Sequence, residues 1–95
     1  MDNRTIAQQL LGLARSLERQ HANLYRVKAY RQAAQTILGL ERPVEEIVAF
    51  EGRRALKELP GIGDKLSVKI ETLVRTGDIA SLKAEEEKAL VALSA

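Results

Sequence analysis

Ninety-five residues with a formal net charge of +2 make one small domain around one modest core. The chain has no cysteine and a single histidine, which excludes disulfides, thiolate metal sites and His-based clusters or triads. Its apolar residues are mainly Leu, Ala, Ile and Val with few aromatics, and no signal peptide or bilayer-length apolar run is present, so packed helices in the cytoplasm are expected, with no membrane partner.

Ile6, Leu10, Leu13 and Leu17 recur at helical spacing and predict a first helix from Thr5 to His21. Thr5 with Gln8 fits a capping box at its start. His21 stands near its end, where closing the helix is the role its position favours. Asn23 can cap a second helix, whose inward residues are Val27, Tyr30, Ala34, Ile37 and Leu38. The small pair Ala33-Ala34 suits close helix approach, and Gly39 is the stop. Pro43 fits the first position of a third helix, with Glu45 and Glu46 favourable in its first turn. Val44, Ile47 and Val48 face inward there, and Gly52 closes it. A short fourth helix from Arg53 to Glu58 runs into Leu59-Pro60-Gly61-Ile62-Gly63. A fifth from Asp64 to Thr76 stops at Gly77, with Asp64 as its N-cap and Leu66, Ile70, Leu73 and Val74 as its apolar stripe. Asp78 can cap a last helix carrying Ile79, Leu82, Ala89, Leu90 and Leu93, and Glu85-Glu86-Glu87 reads as a solvated face or a fraying tail. The expected fold is all-α, a compact bundle of five to six short helices ending in a helix-hairpin-helix, with residues 1–95 as one domain and no linker or repeat.

Charge is unevenly placed. Through Leu40, Arg4, Arg15, Arg19, Arg26, Lys28 and Arg31 face only Asp2 and Glu18, while the remainder is nearly balanced and slightly acidic. Arg26, Lys28 and Arg31, interleaved with Tyr25 and Tyr30, form a candidate nucleic-acid surface; a solvated helix face is the alternative. The segment from Leu56 to Ile70 carries more chemistry. Its spaced Leu56, Leu59, Ile62, Leu66 and Ile70, with Pro60, Gly61 and Gly63 shaping the turn, fit a helix-hairpin-helix. Glycine permits positive φ and close backbone approach. The amides of Gly61, Ile62, Gly63, Asp64 and Lys65 then open a helix toward a phosphate, with Lys65 and Lys69 one turn apart behind them. Such contacts hold the backbone of DNA and read no bases. A plain helical corner is the alternative, but a corner needs one glycine, not this full pattern.

Two motifs together carry a resemblance. Ala29-Tyr30-Arg31-Gln32-Ala33-Ala34, followed by Leu59-Pro60-Gly61-Ile62-Gly63-Asp64-Lys65-Leu66-Ser67-Val68-Lys69-Ile70-Glu71 and Thr76-Gly77, resembles the N-terminal domain of family X DNA polymerases. The opening Ile6-Ala7 and Leu10 fit as well, and the likeness spans roughly Asn3 to Leu82. It implies a helical domain that binds gapped or single-stranded DNA and grips a 5′-phosphate. It implies a monovalent cation, sodium or potassium, on the backbone carbonyls of Lys57, Leu59 and Ile62, with no cofactor otherwise required. In that family a lysine also removes 5′-deoxyribose phosphate through a Schiff base, and Lys69 matches its position, with Tyr30 matching a site tyrosine. Arg26 falls where a phosphate-binding lysine sits, and Lys57 and Lys65 keep basic residues. Tyr25 in place of histidine, Gln32 and Ser81 in place of lysine, and Val68 in place of glutamate depart from the pattern and weigh against the lyase step more than against DNA binding. No nucleotidyl transfer is expected without the polymerase domain, so a separate repair polymerase or nuclease is the implied partner.

Three functions therefore stay open on the sequence. The first is a DNA-binding module, gripping backbone through the 60–65 turn and through Arg26, Lys28, Arg31, Lys65 and Lys69. The second is a 5′-deoxyribose phosphate or abasic-site lyase with Lys69 as nucleophile, which needs a neutral amine from a group that is ordinarily protonated. The third is a protein-interaction accessory module, consistent with the small net charge.

Overall fold

A computed structural model describes residues 1–21 and 23–77. Five helices follow one another there: α1 (Asn3–Arg19), α2 (Leu24–Leu38), α3 (Val44–Glu51), α4 (Arg53–Leu56) and α5 (Asp64–Thr76), with no strand among the described residues. The expected last helix, from Asp78 onward, lies outside them.

α1 begins two residues before the expected start. Asp2, not Thr5, is the cap, and its Oδ1 accepts from Thr5 N at 2.7 Å. A carboxylate here also meets the positive end of the helix, which a threonine could not do. The same hydrogen bonding with Thr5 holds the Asp2 carboxyl below its usual pKa. The helix ends at Arg19, and His21 follows with φ 54, one of the few conformations beyond a helix end that histidine tolerates. Asn23 caps α2 as expected, accepting from Tyr25 N at 2.8 Å.

α1 and α2 pack along each other and supply most of the core. Ile6, Leu10, Leu13 and Leu17 of α1 are buried against Val27, Tyr30, Ala34 and Ile37 of α2. Leu38, expected inward, is 53% exposed, while Ala33 is fully buried. The small Ala33-Ala34 pair lies within the buried face of α2, and Leu38 falls outside it. Pro43 is the cap of α3 and not its first helical residue. It offers no side-chain acceptor, and Asn3 of α1 serves instead: its Oδ1 accepts from Val44 N at 2.7 Å and its Nδ2 donates to Arg42 O at 2.8 Å. Val44 and Ile47 are buried, and Val48 packs at the edge. α4 ends at Leu56 and not Glu58. Glu58 and Leu59 continue in tighter turns, with Glu58 N donating to Ala55 O and Leu59 N to Leu56 O, because Pro60 ahead cannot extend the helix. Leu56, Ile62, Ile70 and Leu73 plug this second half into the core, and Gly77 ends α5 in the left-handed region.

Candidate nucleic-acid interface

The turn between α4 and α5 is gripped by α2. Gly61 has φ +79, and a Cβ there would lie 2.8 Å from Cγ and Cδ of Gln32. The dihedral requires glycine, and any side chain there would also have to displace the exposed Gln32 side chain. One turn further along α2, Thr36 Oγ1 donates to Pro60 O at 2.7 Å. From below, Ile62 sits 3% exposed in the core, and its N–H closes the turn onto Leu59 O at 3.1 Å. Sequence, turn and packing thus fix where α5 starts.

What starts α5 is Gly63, in extended conformation and without any side-chain cap. This corrects the expectation that Asp64 is the N-cap. Asp64 is the first helical residue, and its carboxylate is drawn toward α4: Oδ1 lies 3.0 Å from Arg53 Nη1 and 3.3 Å from Lys57 Nζ. The Arg53 hydrogen bond, and then that from Lys57, hold its carboxyl below the usual carboxylate range. Ser67, fully buried, completes the link by donating to Asp64 O at 2.6 Å and accepting from Arg53 at 3.1 Å. Two effects follow. Asp64, the one acid at the mouth of α5 among the described residues, is partly neutralised, and the first amides of α5 receive no side-chain cap. At Gly63 itself nothing lies within 4 Å of where a Cβ would stand. Neither φ nor crowding calls for glycine there, so its consequence is an unobstructed backbone at a helix N-terminus, where anions are favoured.

That backbone opens on a cavity of about 410 Å³. Arg26, Ala29 and Tyr30 line one wall from α2, and Gly61, Gly63, Asp64, Lys65 and Lys69 line the other. Lys65 is exposed, whereas Lys69 is half-buried. Lys69 Nζ donates to the Tyr30 hydroxyl at 2.5 Å. It is 5.1 Å from the ring centroid. A cation that near the hydroxyl and that far from the centroid lies off the end of the phenol and not over its face, so the contact is a hydrogen bond. Tyr30 therefore joins both roles weighed for it: its ring is 2% exposed in the core, and its hydroxyl reaches the cavity.

The basic cluster of α2 is split. Arg26 faces the cavity. Arg31 does not line it and reaches Glu18 of α1 at 2.5 Å. Lys28 is exposed on the outer surface of α2, one turn before Arg31.

A family model of the helix-hairpin-helix domain matches residues 1–79. The chain belongs to this family. Helix-hairpin-helix domains bind DNA without sequence preference. No curated protein matches the chain. No helix among the described residues is long and apolar enough to cross a membrane.

The described residues of this helix-hairpin-helix domain hold no group of three or more His, Asp or Glu side chains placed for a metal ion. Leu59 O already accepts the Ile62 amide, and a carbonyl has a second lone pair to offer. The positioning residues Gln32, Thr36, Arg53 and Ser67 escaped the sequence. One signal existed for Ser67: it stands between Leu66 and Ile70, on the apolar stripe, where a hydroxyl must find a partner. Arg53 and Thr36 carried none, because their partners are 11 and 24 residues away and are fixed by folding: Asp64 for Arg53 and Pro60 for Thr36.

Proposed function

We propose that this helix-hairpin-helix domain holds the sugar-phosphate backbone of gapped or single-stranded DNA in the cavity between α2 and the hairpin, as a module of DNA repair. The observation that carries the proposal is the uncapped start of α5 at Gly63, opening on a space walled by Arg26, Lys65 and Lys69. A phosphate there meets backbone N–H groups and three cations, a match in charge and in hydrogen bonding. The repair context and the preference for gaps rest on the resemblance to the N-terminal domain of family X DNA polymerases, as does a monovalent cation on the carbonyls of Lys57, Leu59 and Ile62. The same likeness makes a separate repair polymerase or nuclease the partner of choice. Affinity should fall steeply with salt, as backbone contacts release counterions. Titrating a gapped oligonucleotide at low salt tests the reading: the amide resonances of Gly61 to Lys65 should shift, and their staying in place would refute it.

One contact favours a second activity on the same site. Lys69 is the half-buried lysine of the cavity and is held by Tyr30. Such a lysine, once neutral, can attack the C1′ aldehyde of an opened abasic sugar; water leaves as the imine forms, a C2′ proton is then lost as the C3′–O bond breaks, and hydrolysis returns the amine. The Tyr30 hydroxyl is placed to exchange a proton with that amine. Borohydride trapping on abasic DNA decides the matter. A covalent adduct present in wild type and in Lys65→Ala, but lost in Lys69→Ala, supports the lyase; no adduct at all rejects it.

A further inference from the structure

A depression of about 530 Å³ beside α4 shares no lining residue with the hairpin cavity. Its floor is apolar: Leu40, Ile47 and Leu59 line it, and the core covers Leu40 and Leu59 only in part. Its charge is acidic. Glu41 and Glu58 line it and form no ion pair among the described residues, while Arg42, the one cation of the lining, is held by Glu51 at 2.8 Å. Two uncompensated carboxylates thus stand beside apolar surface. A second observation singles out the same place. Phe50 is the chain's one phenylalanine and is 81% exposed. On α3, Ile47 lines the depression and Val48 does not, so the space lies on the Ile47 side of the helix. At about 100° per residue, Phe50 stands about 60° beyond Ile47 and away from Val48, at the edge of the depression. Its ring serves no core and adds a large apolar surface beside the apolar floor.

We infer that this depression docks a basic amphipathic segment of a partner protein, with large apolar side chains on the floor and against Phe50, and with lysines or arginines against Glu41 and Glu58. Charge complementarity chooses the occupant. The two carboxylates repel a nucleic-acid strand or an anionic membrane surface. A metal ion finds no group of three acids or histidines among the described residues. A bare polycation would satisfy the carboxylates and leave the floor and Phe50 in water. This chain's own residues 78–95 are acidic in balance, with Asp78, Glu85, Glu86 and Glu87 against Lys83 and Lys88, and so have the wrong sign. A basic segment with an apolar face meets every feature at once: apolar contact supplies affinity, and the unpaired acids select the sign of the partner. Because the two depressions are separate, the inference stands apart from the DNA reading and survives its failure.

The probe is an amphipathic peptide of leucine and lysine, about four helical turns long. It is titrated into the isotope-labelled protein beside a counterpart with glutamate at every lysine, and beside spermine. The leucine–lysine peptide should shift the amides of residues 39 to 42, 47 to 51 and 55 to 59 and leave those of Lys65 to Lys69 in place. Glu41→Gln/Glu58→Gln and Phe50→Ser should each bind it about tenfold more weakly. Glu18→Gln/Glu71→Gln, which removes two acids elsewhere, should bind it as wild type does. A thermal melt checks that each variant keeps the fold, and the shift map of the wild type needs no variant. The inference is overturned if the peptide leaves residues 39 to 59 unshifted, if the two double variants weaken binding equally, or if the glutamate counterpart shifts the same amides. It is overturned too if spermine reproduces the shifts and Phe50→Ser binds the peptide as wild type does, which leaves a polycation surface only. If the same amides shift when the protein alone is concentrated, with a rise in mass to that of a dimer, the occupant is a second copy and the inference is wrong.

Discussion

Two depressions border the hairpin, and they are built for opposite charges. The one beside α5, of about 410 Å³, sets Arg26, Lys65 and Lys69 against a single acid, Asp64, that is itself tied to Arg53 and Lys57. The one beside α4, of about 530 Å³, sets Glu41, Glu51 and Glu58 against Arg42, and Arg42 is spent on Glu51 at 2.8 Å. The larger space is therefore the wrong one for a phosphate. Volume does not choose the ligand here; the sign of the lining and the presence of bare backbone N–H groups do. The first depression also lies where α2, through Gln32 and Thr36, fixes the turn.

The contrast can be broken most severely at Gly61. Gly61→Ala forces a Cβ into Gln32 at a dihedral that alanine resists, and it should cost about 1–3 kcal/mol with a drop of several degrees in melting temperature. DNA affinity should fall with it. Adding Gln32→Ala should recover the packing part and leave the dihedral part, so a double variant as unstable as the single one would show that α2 does not seat the turn. Next in size is charge. Arg26→Ala/Lys65→Ala should reduce the log–log salt slope for a single strand by about 1.4, whereas Glu51→Gln in the acidic depression should leave the slope unchanged. Equal effects from the two would erase the distinction between the depressions.

A finer test is Gly63→Ala. Open space at that position predicts a melting temperature close to wild type, within about 0.5 kcal/mol in stability, together with about tenfold weaker DNA binding if the bare amide is used as a charge-assisted donor. Binding that is unaltered would mean that the phosphate sits elsewhere. The smallest effect is expected from Asp64→Asn. It removes the one acid of the basic depression and should raise DNA affinity a few-fold. The Asp64 carboxyl is held below its usual range by Arg53 and Lys57. Its contribution to stability is thus present above about pH 4 and lost as the pH falls through its folded value. Melts in acid should therefore decline less steeply in Asp64→Asn than in wild type.

The helical core was legible because apolar periodicity is a local property. Ile6, Leu10, Leu13 and Leu17 announced the buried face of α1, and Leu56, Ile62 and Ile70 that of the hairpin. Helix ends were legible where the cap is adjacent in sequence, as at Asn23 and Gly77. They were not legible where the cap comes from a distance: α3 is capped by Asn3, more than forty positions upstream of Val44 by the 41-residue separation of the pair. The site shows the same division. Lys65, Lys69 and the two glycines could be named from their motif, but Arg31 and Lys28 could not be assigned to a wall before α2 was rotated into place.

By itself the sequence determined a helical chain with one Pro-Gly-Ile-Gly turn, because glycine placement, proline stiffness and residue spacing act over a few neighbours. Only the tertiary structure decided which cations share a space. It turned Arg26 toward the hairpin and Arg31 toward Glu18, although the two are five positions apart on one helix. It also set Lys69 against Tyr30 and drew Asp64 off the mouth of α5 toward Arg53. Those pairings depend on how buried faces of different helices rotate to fill one core, and no single segment contains that information.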